Sequence, residues 1–256
     1  MTKSRHRTNP EAEWFGFEHI TAGNKAERVR GVFDKVAARY DVMNDLMSLG
    51  VHRLWKDRFA AMIAPRAGES ILDLAGGTGD IARRLHRRSH GQSKITICDY
   101  NAAMLEQGRN RMLDDGLLPD AFTWTTGDAA DLPFPAASFD KICISFGLRN
   151  VALIDTALKE VVRVLKPGGR FFCLEFSPGV AAPLKDIYDR YSFSVLPWLG
   201  EKVANDRAAY QYLAESIRQF PDQQALAARM EQAGLARVRW LDVSFGIAAI
   251  HSGWKF

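Results

Sequence analysis

The feature that most constrains this chain is an alternation of short apolar runs with helix-period segments, from Ser70 to Phe176. Ile71-Leu-Asp-Leu-Ala75, Lys94-Ile-Thr-Ile-Cys-Asp99, Ala121-Phe-Thr-Trp-Thr125, Phe139 to Phe146 and Arg170 to Phe176 read as strands. Asp80 to about Arg88, Ala102 to Asp114 and Asp155 to Leu165 read as helices, the last stopped by Pro167-Gly168-Gly169. Strands alternating with helices imply a parallel sheet covered on both faces. The pattern therefore predicts a doubly wound, Rossmann-like α/β domain. Such a sheet binds its ligand at the carboxyl ends of its strands.

The flanks are less regular. From Lys25 to about Ala64 the period is helical, with Val29, Val32, Phe33, Val36 and Ala37 on one stripe. A second helical stretch, Gly50 to Ile63, is closed by Pro65 and Gly68. Residues 25–67 are thus expected to form an N-terminal helical cap, after a flexible tail over 1–24, within a single domain spanning 25–256. Residues 179–220 break the rhythm with Tyr188, Tyr191, Phe193, Trp198, Tyr210 and Tyr212. They read either as a lid that receives a substrate or as extra core packing. Pro221 to Ala233 reads as a last helix, and 236–255 as a hairpin about Ser244-Phe-Gly246.

Hydrophobic residues make up 47% of the chain, enough for a large core. No apolar run approaches the ~20 residues that a membrane-spanning helix needs. Met1 to Pro10 is basic and lacks the apolar centre of a secretory signal, so the expected location is the cytoplasm. The net charge of +4 suits an ordinary surface or an anionic bilayer, and no basic cluster resembles a nucleic-acid arm. Cys98, Cys143 and Cys173 each lie inside an apolar run without Cys-x-x-Cys spacing. They read as reduced core thiols, and no metal is expected.

The candidate ligand site is Asp73-Leu-Ala-Gly-Gly-Thr-Gly-Asp80, at the first strand-to-helix junction. Gly77 and Gly79 allow close backbone approach and turn angles that other residues resist. The following helix directs its free N–H groups at the same place. Asp99 ends the next strand, where an acid accepts hydrogen bonds from ribose hydroxyls. Taken alone the segment is ambiguous, because Gly77-x-Gly79-x-x-Ala82 also satisfies a nicotinamide-dinucleotide fingerprint. Asp73, ahead of the glycines, suits a cationic amine better than a pyrophosphate.

Two further segments extend the pattern: Gly127-Asp128-Ala-Ala-Asp-Leu-Pro-Phe134 after the third strand, and Leu165-Lys-Pro-Gly-Gly-Arg170 before the fifth. With the terminal hairpin, they make residues 68–256 resemble the class I S-adenosylmethionine-dependent methyltransferases. The resemblance implies a seven-stranded, mostly parallel sheet whose last strand is antiparallel. It also implies S-adenosylmethionine as cofactor, its methionine part on Asp73, Gly77, Thr78 and Gly79. Asp99 would then take the ribose, Asp128 with Ala129 the adenine, and Ser145 a further cofactor contact. Ala75 departs from the pattern, standing where a first glycine is frequent; the expected effect is small.

Three other stretches are more distinctive: Tyr40-Asp-Val-Met-Asn-Asp-Leu-Met-Ser-Leu-Gly-Val-His-Arg-Leu-Trp-Lys56, Ser145-Phe-Gly-Leu-Arg-Asn150 and Phe220-Pro-Asp-Gln-Gln-Ala-Leu226. On these the chain resembles the ubiquinone/menaquinone biosynthesis C-methyltransferase family. That resemblance implies C-methylation of a polyprenylated benzoquinol, and in some members of demethylmenaquinol. Arg149 is expected to stabilise the quinol oxygen or to position a water, with Asn150 beside it. Tyr40 is expected to close over the cofactor or to hydrogen-bond the substrate, whereas Asn44 and His52 suit packing as well as chemistry. So apolar a substrate implies transient membrane-surface contact at the inner face of the plasma membrane. A quinone-biosynthesis complex and a homodimer are compatible with it, and nucleic acid is not an expected partner. The alternatives at this stage are a nucleic-acid methyltransferase, a cofactor-binding assembly protein and a nicotinamide oxidoreductase.

Overall fold

The computed structural model describes residues 12–15, 18–21, 48, 50–117, 120–180, 188, 190, 194, 201 and 207–256. The expectations for Tyr40, Asn44, the first cap helix and nearly all of 181–206 lie outside them. Strands β1 (Ala12–Phe15) and β2 (Glu18–Thr21) pair antiparallel, Ala12 opposite Thr21. This hairpin lies within 1–24, the stretch expected from the sequence to be a flexible tail. It is a two-stranded sheet separate from the main one, so no alternation with helices marked it.

The main sheet contains β3 (Ser70–Leu74), β4 (Lys94–Asp99), β5 (Phe122–Thr126), β6 (Phe139–Ser145), β7 (Leu165–Phe176), β8 (Ala236–Val243) and β9 (Ala248–Trp254). Their spatial order is β5-β4-β3-β6-β7-β9-β8, with β9 antiparallel to both neighbours and the first five strands parallel. Helices α1 (His52–Ile63), α2 (Asp80–Arg88), α3 (Ala102–Asp114), α4 (Ile154–Val164), α5 (Arg207–Gln219) and α6 (Gln223–Gln232) accompany it. From β3 the chain runs outward through β4 to β5, then returns to place β6 on the other side of β3. That reversal opens a crevice at the carboxyl ends of β3 and β6.

Successive strand residues point to opposite sides of the sheet, and because both sets are apolar each side buries a core. Ile71, Cys143 and Phe172 pack with Trp55, Phe59 and Tyr210 in one cluster. Leu72, Ile142 and Phe171 pack with Leu158, Leu226 and Met230 in the other. The β6–β7 ladder steps from Phe139–Leu165 to Lys141–Arg170, so the Pro167-Gly168-Gly169 turn is a bulge inside β7 rather than its approach. Within 179–220, α5 buries Tyr210, Tyr212, Leu213 and Ile217, which is core packing for this part of the stretch.

The Phe220–Leu226 motif is architectural. The Asp222 carboxylate caps α6 by accepting from the Ala225 N–H at 2.8 Å. Gln223 donates to Asp242 Oδ1 at 2.9 Å, and its side chain fills space left by the absent side chains of Gly179 and Gly246.

Candidate active site

The glycine loop is held open by its neighbours. Gly77 (φ +52°) and Gly79 (φ +76°) adopt the left-handed region, and a Cβ on Gly77 would lie 3.1 Å from Met104 Cε. The Gly79 N–H donates to the Gly76 carbonyl at 2.8 Å, closing the turn at the start of α2. Thr78 packs its backbone onto Gly108 of α3, where any side chain would collide with it. Ala75 has φ +51°, so the alanine that replaces a frequent glycine sits in a left-handed turn. That is a larger departure than a change of one methyl suggests.

Asp99 joins the loop to the next strand. Its Oδ2 accepts from the Gly77 N–H at 2.8 Å and its Oδ1 from the Asn101 N–H at 2.8 Å. Burial raises its pKa, and the two N–H donors pull it back. Asn101 in turn caps α3, accepting from Ala103 and Met104. The Gly127 N–H donates to the Asp99 carbonyl at 3.1 Å, so the loop carrying exposed Asp128 and buried Ala129 lies against the end of β4. The Asp99 carboxylate and the loop of Asp128 and Ala129 are thereby side by side.

Asp73 sits one layer below. Its Oδ2 accepts from the Ala82 N–H at 3.0 Å, and the Cys143 thiol points at its Oδ1 across 3.7 Å. Burial pushes the carboxyl up to about 7. The side chain fixes the first turn of α2 to β3; it influences the crevice through the loop it holds. Ser145, at the end of β6, has a buried Oγ without a hydrogen-bond partner among the described residues.

On the β6–β7 side, the structure brings together residues that the sequence scatters. Arg149 is buried, its Nη1 donating to the Phe146 carbonyl at 2.7 Å and to both Glu175 oxygens at 2.9 and 3.0 Å. It is therefore a held cation in an ion pair rather than a side chain extended into the crevice. Burial raises the Glu175 pKa, with the Arg149 guanidinium opposing. The Tyr212 hydroxyl donates to Asn150 Oδ1 at 3.1 Å, and burial pushes its phenol up. Phe146 and Phe176 pack at a tilt with ring centroids 4.7 Å apart, and Trp55 is edge-on to Phe176 at 5.9 Å, an apolar wall beside the pair.

Glu175, the Tyr212–Asn150 contact and this wall were missed by sequence reasoning. A lone acid ending the apolar run Arg170–Phe176 was the available signal for Glu175. Tyr212 lies 62 residues from Asn150, and no local pattern could pair them. His52 is buried, its Nδ1 3.0 Å from Ser48 Oγ. From the same helix Lys56 pairs with Asp80 at 2.9 Å, tying α1 to the mouth of the glycine loop. Lys56 and Arg84 hold the Asp80 carboxyl below its usual range, outweighing the upward push of burial.

A switch-point crevice walled by a glycine loop, an acid ending the adjacent strand and an antiparallel strand inserted near the sheet edge defines a class I methyltransferase. A SAM-dependent methyltransferase from Thermotoga maritima superposes with a TM-score of 0.62 at 19% identity, covering 89% of this chain and all of that one (100%). The chain belongs to the ubiE/COQ5 methyltransferase family, whose model matches residues 21–255. It is 53% identical over 246 residues to the ubiquinone/menaquinone biosynthesis C-methyltransferase UbiE of Paracoccus denitrificans, covering 96% of this chain and 98% of that one. The Caulobacter vibrioides protein of the same name is 55% identical over 94% of this chain and 96% of its own length.

Proposed function

We propose that this chain is the S-adenosylmethionine-dependent C-methyltransferase of ubiquinone and menaquinone biosynthesis. Its acceptors are a 2-polyprenyl-6-methoxy-1,4-benzoquinol and demethylmenaquinol. The observation that carries this reading is identity above one half along nearly the whole length of two relatives with that activity in their names. No helix among the described residues is long and apolar enough to cross a membrane.

The crevice fits the cofactor on physical grounds. Asp99 retains acceptor lone pairs beyond its two backbone contacts, as a ribose diol requires. Gly77 leaves room that a Cβ would take, and the unpartnered Ser145 Oγ offers a polar contact. Asp128 and Ala129 would receive the adenine, and Thr78 and Gly79 the methionine part. S-adenosylmethionine, when bound, supplies an electrophilic methyl group.

The protein's own share of the chemistry lies in positioning and charge. A quinol ring carbon is a poor nucleophile until a neighbouring hydroxyl loses its proton. Holding the ring in line is worth roughly 7–11 kcal/mol in effective molarity. Arg149, kept charged and fixed by Glu175, supplies positive potential toward the developing oxyanion. It is not a base, because a guanidinium keeps its proton in a protein. Asn150, oriented by Tyr212, and Tyr40 are assigned to the acceptor side. The polyprenyl tail partitions into a bilayer, so the enzyme works in transient contact with a membrane surface.

Quinone profiling of cells lacking the protein tests this. A desmethyl quinone should accumulate; an unchanged profile removes the assignment.

A further inference from the structure

The β8–β9 turn stands on the same rim as the crevice. Phe176 at the end of β7 pairs with Ala248, and the Ser177 N–H donates to the Ile247 carbonyl at 3.0 Å. Ser244, Phe245 and Gly246 have φ +48°, +59° and +83°, three consecutive left-handed residues. A bulky aromatic resists that conformation, and a turn of this kind is better served by glycine or asparagine. Yet Phe245 is there, 72% exposed at the tip. The turn is not loose: the Trp55 Nε1–H donates to Ser244 Oγ at 3.0 Å.

That bond joins the tip to α1. The residue before Trp55 is Leu54, 68% exposed. Arg53 and Arg58 flank it, both exposed, Arg58 one turn further along the same face. Asp57, the acid between them, is bound to Arg84 at 2.8 Å. Trp55 meanwhile packs against Phe146 and Phe176, so the exposed pair is braced directly on the wall of the crevice.

We propose that Leu54 and Phe245 form a wedge that enters an anionic bilayer, with Arg53 and Arg58 at the level of the lipid phosphates. This rests on the proposed function for the lipid nature of the acceptor. The crevice then opens onto the membrane, and a quinol head can enter while its tail stays among the acyl chains. Two apolar side chains offer a few hundred Å² at most, far short of the roughly 1,200 Å² of a stable protein interface. Paired apolar tips with adjacent cations suit a lipid surface instead, and the net charge of +4 has the matching sign.

Sedimentation of the full chain with vesicles tests the wedge, using equimolar phosphatidylcholine and phosphatidylglycerol against phosphatidylcholine alone. Phe245→Asn keeps a residue that tolerates the left-handed turn, and Leu54→Gln keeps a helix former. Each should weaken vesicle binding roughly tenfold, the loss expected for one buried apolar side chain. Arg58→Gln should weaken binding to the anionic vesicles alone. Turnover of a water-soluble, short-tailed quinol should be unchanged in all three. Vesicle binding equal to the parent's in Phe245→Asn and Leu54→Gln overturns the proposal. So does a concentration-dependent dimer that these variants abolish, which would assign the face to a second copy. A parent protein that binds vesicles but methylates no quinol upholds the wedge and removes the proposed function.

Discussion

Gly147 stands directly against Ala75: a Cβ added to Gly147 would lie 2.6 Å from the Ala75 Cβ. The two residues follow β3 and β6 at the floor of the crevice, where Ala75 and Phe146 both adopt left-handed φ angles. The methyl at 75 is thus accommodated by the missing one at 147. Gly147→Ala should destabilise the protein by about 1–3 kcal/mol through overpacking. Ala75→Gly should stay within about 1 kcal/mol of the parent, since released strain and added unfolded-state entropy oppose each other. The double variant should recover much of the loss. Urea midpoints of the four proteins close the cycle, and a coupling indistinguishable from zero contradicts the packing described.

The Arg149–Glu175 pair makes a different prediction. Glu175→Ala leaves a guanidinium buried without its carboxylate, a loss of roughly 3–5 kcal/mol. Turnover should fall with it, because Arg149 then lacks the carboxylate that fixes its charge in place. Glu175→Gln keeps an acceptor oxygen and the shape, so it should be milder on both counts. Denaturant unfolding alongside initial rates separates the cases; equal stability of Glu175→Ala and parent would show that the pair contributes nothing.

The proposed ribose contact of Asp99 can be tested by substitution. Asp99→Asn preserves an oxygen for one backbone N–H but removes the charge that the proposed contact needs. A hydrogen bond to a charged group is worth about 1.5–3 kcal/mol, so affinity for S-adenosylhomocysteine should drop by ten-fold or more, on that order. Calorimetric titration measures it, and unchanged affinity would place the nucleoside elsewhere.

Much of this was legible in the chain before any fold was known. The strand–helix alternation and Asp73-Leu-Ala-Gly-Gly-Thr-Gly-Asp80 located the crevice, because a parallel sheet needs buried strands and a tight turn needs glycine. What could not be read was long-range. Glu175 meets Arg149 across 26 positions and Tyr212 meets Asn150 across 62, contacts that no local period encodes. The conformational cost at Ala75 was equally hidden, since a backbone angle is set by the partner strands. The Phe220–Leu226 stretch carried the family resemblance in the sequence, and in the structure its Asp222 and Gln223 serve a helix cap and a packed loop.

Stability should also respond to pH through Asp73, whose carboxyl is raised from 3.8 to about 7 by burial. The native state holds that proton more tightly than the unfolded chain does. Its contribution is therefore complete below about pH 4 and is lost as pH rises through 7, amounting to a few kcal/mol at most. Asp73→Asn cannot ionise, so the difference in unfolding free energy between variant and parent should widen in the variant's favour from pH 5 to pH 8. Parallel pH curves for the two proteins would show that this carboxyl does not titrate as described.

Transfer of a methyl group to a quinol ring carbon can be followed directly. Purified protein should be incubated with S-adenosylmethionine labelled in its methyl group and a reduced 2-polyprenyl-6-methoxy-1,4-benzoquinol, and the product analysed by mass spectrometry and NMR. The label should appear once, on a ring carbon. Label on an oxygen, or no labelled quinol at all, would contradict the account.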